Sequence, residues 1–201
     1  MVAISFGWFI LQSVLAVAEG FPTSGTFSDA SLGGLLVLEI VLGASALLFL
    51  RARGHDLAAL LPSPNWRGLI EGGVLCVLAI LACNIVEALF PSQSEAVQPI
   101  AQIVANSKPS IAVALAVSMF NGLYEETFLI GYLMRGFAEA GASFALGLSV
   151  LVRLLYHLYQ GPTGAVSVVV CGLVFGAAYW RTRRLWPVVV AHALLDVIAL
   201  S

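Results

Sequence analysis

Asn121-Gly122-Leu123-Tyr124-Glu125-Glu126-Thr127-Phe128 sets two adjacent carboxylates in the middle of an almost wholly apolar run. The flanks, 110–120 and 129–134, carry no charge, so lipid or packed helices surround these glutamates and little water is left to solvate them. An ionised carboxylate in such surroundings is costly unless paired or used, and an intramembrane ionisable residue is a functional-site candidate by default. His157, His192, Asp196 and Arg153 also lie inside apolar segments.

The remainder of the chain explains why the stretch is read at membrane depth. Of 201 residues, 60% are hydrophobic and only 10% charged, with mean hydropathy +0.99; soluble domains carry about 25% charged residues. The chain reads as an all-α polytopic membrane protein of one domain, without internal repeats. A net charge of -2 gives no reason to expect nucleic acid as a partner. Cys76, Cys83 and Cys171 all fall in apolar runs, an odd set that argues against a disulfide framework; no adjacent cation or helix N-terminus marks one as a nucleophile. Met1 to Ala18 lacks a basic start and a convincing small-x-small cleavage site, and reads as a retained span.

A spanning helix needs about 20 mostly apolar residues. Seven segments approach this: 2–18, 32–50, 68–90, 110–138, 143–160, 163–180 and 185–201. Alternating them puts Arg51, Arg53, Arg67, Arg135, Arg181, Arg183 and Arg184 on one side and Lys108 on the other. The positive-inside rule then places the N-terminus in the cytoplasm and the C-terminus outside. The fourth segment, about 43 Å long at 1.5 Å per residue, exceeds the hydrocarbon core and is expected to project or bend. A turn at Ala140-Gly141 would fold it into a hairpin with the next span, bringing Glu125 and His157 to nearly one level.

Residues four apart share a helix face. Three polar pairs do so: Asn121 with Glu125, Arg153 with His157, and His192 with Asp196. A carboxylate and an imidazole sharing one water can deprotonate it and pass the proton to a leaving amine, while a second histidine donates a hydrogen bond to the developing oxyanion. Glu126, turned about 100° from Glu125, can face a packed helix while its neighbour faces a cavity.

Glu125-Glu126, Arg153-Leu154-Leu155-Tyr156-His157 and His192-Ala193-Leu194-Leu195-Asp196 resemble the three motifs of the CPBP family of intramembrane proteases (CAAX proteases and bacteriocin-processing enzymes, also called Abi). Those motifs read Glu-Glu-x-x-x-Arg, Phe-x-x-x-His and His-x-x-x-Asn or Asp. The resemblance covers 110–201, leaving 1–109 as accessory helices. It implies a metal-independent glutamate-type endopeptidase without cofactor, in the plasma membrane of a prokaryote, acting on membrane-embedded or prenylated peptides. It also implies that Glu125 and His157 activate the water, that Glu126 supports them, and that His192 with Asp196 forms the oxyanion side. At the arginine position this chain has Ile130, and at the phenylalanine position it has Arg153. An exchange between neighbouring helices is therefore expected, with Arg153 giving Glu126 its cation. Ionised Asp196 cannot donate as an asparagine does, and is expected to orient and charge His192.

Each residue also has a plainer reading. The glutamates could form a structural ion pair, the histidines could bond backbone carbonyls, Arg153 is expected to be a structural partner, and Asn121 could hold a water or bridge helices. Glu71 and Glu87 lie near span ends, His55 sits in a basic loop, and Trp8, Trp66, Trp180 and Trp186 mostly mark an aromatic belt. Glu39 is deeper and has no explanation at this level. The chain has no His-Glu-x-x-His for zinc, no Gly-x-Ser-Gly for a rhomboid-type serine protease, and one intramembrane aspartate where an aspartyl protease needs two. Two other classes stay open: a non-catalytic membrane scaffold or immunity protein, and a proton-coupled transporter.

Overall fold

In hydrocarbon every backbone N–H and C=O must be satisfied within its own segment, so apolar runs of this length become helices. The computed structural model describes residues 1–21, 26–90 and 99–200, and no strand occurs among them. The helices are α1 (Val2–Ala18), α2 (Asp29–Ala52), α3 (Trp66–Leu89), α4 (Pro99–Ala105), α5 (Ile111–Glu126), α6 (Ala142–His157), α7 (Gly161–Thr182) and α8 (Trp186–Leu200). All seven expected spans are present as helices. The short α4 is an addition, in a stretch read as loop. Parts of two expected loops, 22–25 and 91–98, and residue 201 at the end of the last span lie outside the described residues.

Local chemistry sets several boundaries. Ser28 and Ser31 form a reciprocal capping box at the start of α2, and the Asn65 side chain accepts the Gly68 N–H at the start of α3. Arg183 closes α7 in the left-handed conformation. The long fourth span neither stays α-helical nor simply projects: α5 ends at Glu126 and continues as a π-helix over Thr127–Met134. A 3-10 turn at Ala138–Ala140 and Gly141, at φ 98, then reverse the chain into α6, making the expected hairpin.

The distribution of exposure is that of a membrane bundle. Leu48, Ile70, Leu89 and Ile111 are among many large apolar side chains turned outward. Ser5, Ser13, Ser118, Glu125, Glu126, Ser149, Arg153 and His192 are buried. Lipid solvates the former at no cost, so packing between helices rests on small residues and polar contacts. At Gly122 a Cβ would lie 3.0 Å from the Val189 carbonyl oxygen and 3.1 Å from the Ala193 nitrogen, so α5 and α8 meet backbone to backbone. Gly72 does the same for α3, where a Cβ would fall 2.8 Å from the Pro187 oxygen of α8. Gly172 lets α7 lie against Arg153 of α6, where an added Cβ would stand 3.4 Å from its Cδ. These approaches surround the two glutamates with α6, α7 and α8.

Candidate active site

Glu126, with no exposed surface, takes cations from two helices. The Arg153 Nη2 donates to its Oε1 at 2.7 Å, and the His192 Nδ1 donates to the same oxygen at 2.5 Å. The close contact at Gly122 is what allows α8 to present His192 at this distance, since Gly122 stands four residues before Glu126 on α5 and Ala193 adjoins His192. Arg153 also reaches Glu125, its Nη1 lying 3.2 Å from Oε2. One guanidinium thus bridges both carboxylates, each from a different nitrogen of its rigid planar fork. The cation expected for Glu126 does come from the next helix.

Glu125 is held by one of its oxygens. Besides Arg153, the Tyr156 hydroxyl donates to Oε2 at 2.5 Å, and the His192 Nε2 lies 3.7 Å away. None of these contacts falls on Oε1, and Glu125 lines a cavity of about 530 Å³ together with Asn121, Tyr156, His157 and Asp196. His157 presents its Nδ1 to the Arg153 carbonyl at 2.9 Å. A carbonyl only accepts, so Nδ1 carries the proton and a neutral ring keeps its lone pair on Nε2. Both members of the expected water-activating pair therefore stand on one wall, without a direct bond between them among the described contacts.

His192 is oriented by Glu126 more closely than by Asp196. Its Nε2 is 3.7 Å from Asp196 Oδ1, whereas Asn121 Nδ2 donates to Asp196 Oδ2 at 2.8 Å. Asn121 thus bridges α5 to α8, and Asp196 lies on the cavity wall, among whose lining residues His192 is not found. Glu125, Glu126 and His192 offer three ligand atoms within 4.8 Å of one another. A divalent cation there would have to compete with the Arg153 guanidinium already bonded to both carboxylates.

Several contributors are not among the residues the motifs specify. Tyr156 is one; the available signal was its place three residues after Arg153, on the same helix face. Its ring stacks on Phe6 of α1 at 4.9 Å between centroids, and Tyr124 donates its hydroxyl to the Ser5 carbonyl of the same helix. Ser13 Oγ, again from α1, accepts the Tyr159 N–H at 3.0 Å. The first helix thus steadies the ends of α5 and α6 that carry the site. Glu71, read as reaching the interface, forms an exposed ion pair with Arg184 at 2.5 Å, and His55 is exposed with its ring against Tyr132.

Residues 107–198 match the family model described as Type II CAAX prenyl endopeptidase Rce1-like. No curated protein and no solved structure matches the chain.

Proposed function

We propose that this chain, of the CAAX endopeptidase family through residues 107–198, is a glutamate-type intramembrane endopeptidase that hydrolyses a prenylated or membrane-embedded peptide. What carries the reading is the Glu125 carboxylate, anchored through Oε2 by Arg153 and Tyr156 while it faces, with His157, a cavity large enough for a peptide segment. Glu125 Oε1 takes a proton from a water held between it and His157 Nε2, and the hydroxide oxygen adds to the scissile carbonyl carbon. Arg153 and His192 supply positive charge beside the glutamates, and the oxyanion is met by a donor on the α8 side. When the tetrahedral intermediate collapses, the C–N bond breaks and Glu125 returns its proton to the leaving amine. The balance is one water consumed, one acid and one amine formed, with no metal in any step.

A buried ion-pair cluster of this kind could also serve as a structural staple in a non-catalytic scaffold. The test is cleavage of a farnesylated CAAX peptide by the protein in liposomes, read by mass spectrometry for the fragment released beyond the prenylated cysteine. Glu125→Gln and His157→Ala are each expected to lower the rate by about 10²–10⁴-fold while leaving membrane insertion intact. Rates within a factor of two of wild type in either variant would remove the assignment. A wild-type protein that leaves the peptide intact would favour the scaffold.

A further inference from the structure

Glu39 is the buried acid that this mechanism leaves unused. It lies midway along α2, far in sequence from the motifs, and is only 2% exposed. One turn further along the helix, Gly43 packs on the ring of Tyr124, where a Cβ would stand 3.3 Å from Cδ2. Residues four apart share a face, so Glu39 is turned toward α5 as well, and it lines the same cavity as Glu125, His157 and Asp196.

Its surroundings lack a partner. Oε2 of Glu39 has no hydrogen bond among the described residues. No lysine or arginine is among the described residues lining the cavity, and His192, the cation whose charge reaches Glu39, is engaged by Glu126. A polar atom withdrawn from water and left unpaired is costly, and in a native structure such an atom calls for an explanation. A structural ion pair does not supply one here, because the cation is missing. A carboxyl oxygen accepts a hydrogen bond whether or not the group is ionised, so a donor that enters by the cavity would satisfy Oε2.

We propose that Glu39 is a substrate-binding residue whose carboxyl group accepts a hydrogen bond from an N–H group of the bound peptide at the α2 wall of the cavity. The inference rests on the endopeptidase reading and extends it by assigning the binding wall to a helix outside the matched segment. The donor is a backbone amide or the ammonium of a basic side chain, two sources of the same chemistry. With three carboxyl-bearing residues and a single histidine as the titratable lining besides tyrosines, the cavity favours such donors over anionic groups.

The experiment uses the full chain in liposomes and two fluorescent farnesylated CAAX peptides, one with a lysine beside the prenylated cysteine and one with alanine there. Affinity is measured by anisotropy in the Glu125→Gln background, and KM and kcat in the otherwise unaltered protein. Glu39→Leu is expected to weaken affinity and raise KM by about tenfold or more, with kcat within about threefold of wild type. Glu39→Gln, which preserves shape and one acceptor oxygen, should weaken affinity by about threefold or more for the lysine peptide, where a charge-assisted bond becomes a neutral one, and by less for the alanine peptide. An equal loss for both peptides identifies the amide, and a larger loss for the lysine peptide identifies the ammonium. If Glu39→Leu fails to unfold cooperatively, Glu39→Met, which fills similar space without an acceptor oxygen, is read in its place. Unchanged affinity and KM overturn the proposal, and so does a loss confined to kcat. Because binding is read without turnover, peptide that binds in a Glu39-dependent way but is never cleaved would defeat the endopeptidase reading and leave the binding assignment standing.

Discussion

Arg153 stands where two carboxylates and the backbone of α7 converge, and that crowding determines what its replacement does. It is buried, bonds both Glu125 and Glu126, and has Gly172 against its Cδ. Removing one partner from a buried, hydrogen-bonded charge cluster strands the others and typically costs about 3–5 kcal/mol. Arg153→Ala is therefore expected to lower stability by about that amount in a detergent unfolding assay, together with activity. Arg153→Lys should recover part of the stability, because an ammonium keeps the charge but does not reproduce the planar fork. Equal stability in all three proteins would show that the cluster is held by something other than this cation. Tyr156→Phe makes a finer change, deleting one donor to Glu125 Oε2 and leaving the ring stacked on Phe6. It is expected to lower kcat by about tenfold with little change in the unfolding midpoint; the reverse pattern would make Tyr156 a packing residue only.

Helix α8 bears His192, and its seat against α5 is set by a single missing side chain. At Gly122 an added methyl would meet a carbonyl oxygen and an amide nitrogen, neither of which can rotate aside as a flexible side chain could. Gly122→Ala is thus expected to cost about 1–3 kcal/mol through overpacking and to draw His192 away from Glu126, lowering activity as well. Gly73, which has open space where its Cβ would be, is the control: Gly73→Ala should be neutral or slightly stabilising. If the two substitutions behave alike, α5 and α8 do not meet as described. The π-helix belongs to this scale too. It begins at the residue after Glu126, and π segments are rare in helices and frequently fall at functional sites. A sequence of apolar residues such as Phe128–Leu129–Ile130 carries no mark that distinguishes this widened turn from an ordinary α-turn.

Across the whole molecule, arginine-bearing loops gather at one end. Arg135 donates to the Ala59 carbonyl, and Arg135, Arg183 and Arg184 line one polar cavity with Asn65 and Trp186. With an odd number of crossings, that end is expected to be cytoplasmic together with the N-terminus, and the C-terminus should lie outside. Reporter fusions at the two termini, one active only in the cytoplasm and one only outside it, test this; a cytoplasmic signal from both would mean an even number of crossings. Chelators should leave peptide cleavage unaffected, since Arg153 supplies the charge at the carboxylates. Inhibition by a chelator, reversed by zinc, would instead place an ion on Glu125, Glu126 and His192.

What the amino-acid sequence by itself determined is whatever depends on local composition. The count and approximate limits of the seven spans follow from the length of apolar runs against the bilayer, and the hairpin at Gly141 follows from a break between two such runs. Glu125, Glu126, Arg153, His157, His192 and Asp196 were legible as candidates because charge is rare and costly at that depth, and because spacing on a helix shows which residues share a face. Only the tertiary structure decided how those faces meet. That Arg153 serves both glutamates, that Tyr156 anchors Glu125, that Glu126 rather than Asp196 makes the close contact to His192, and that Glu39 shares the cavity are all relations between helices. They depend on approach distances set at Gly43, Gly122 and Gly172, and a glycine in a sequence does not say which backbone or side chain will lie against it.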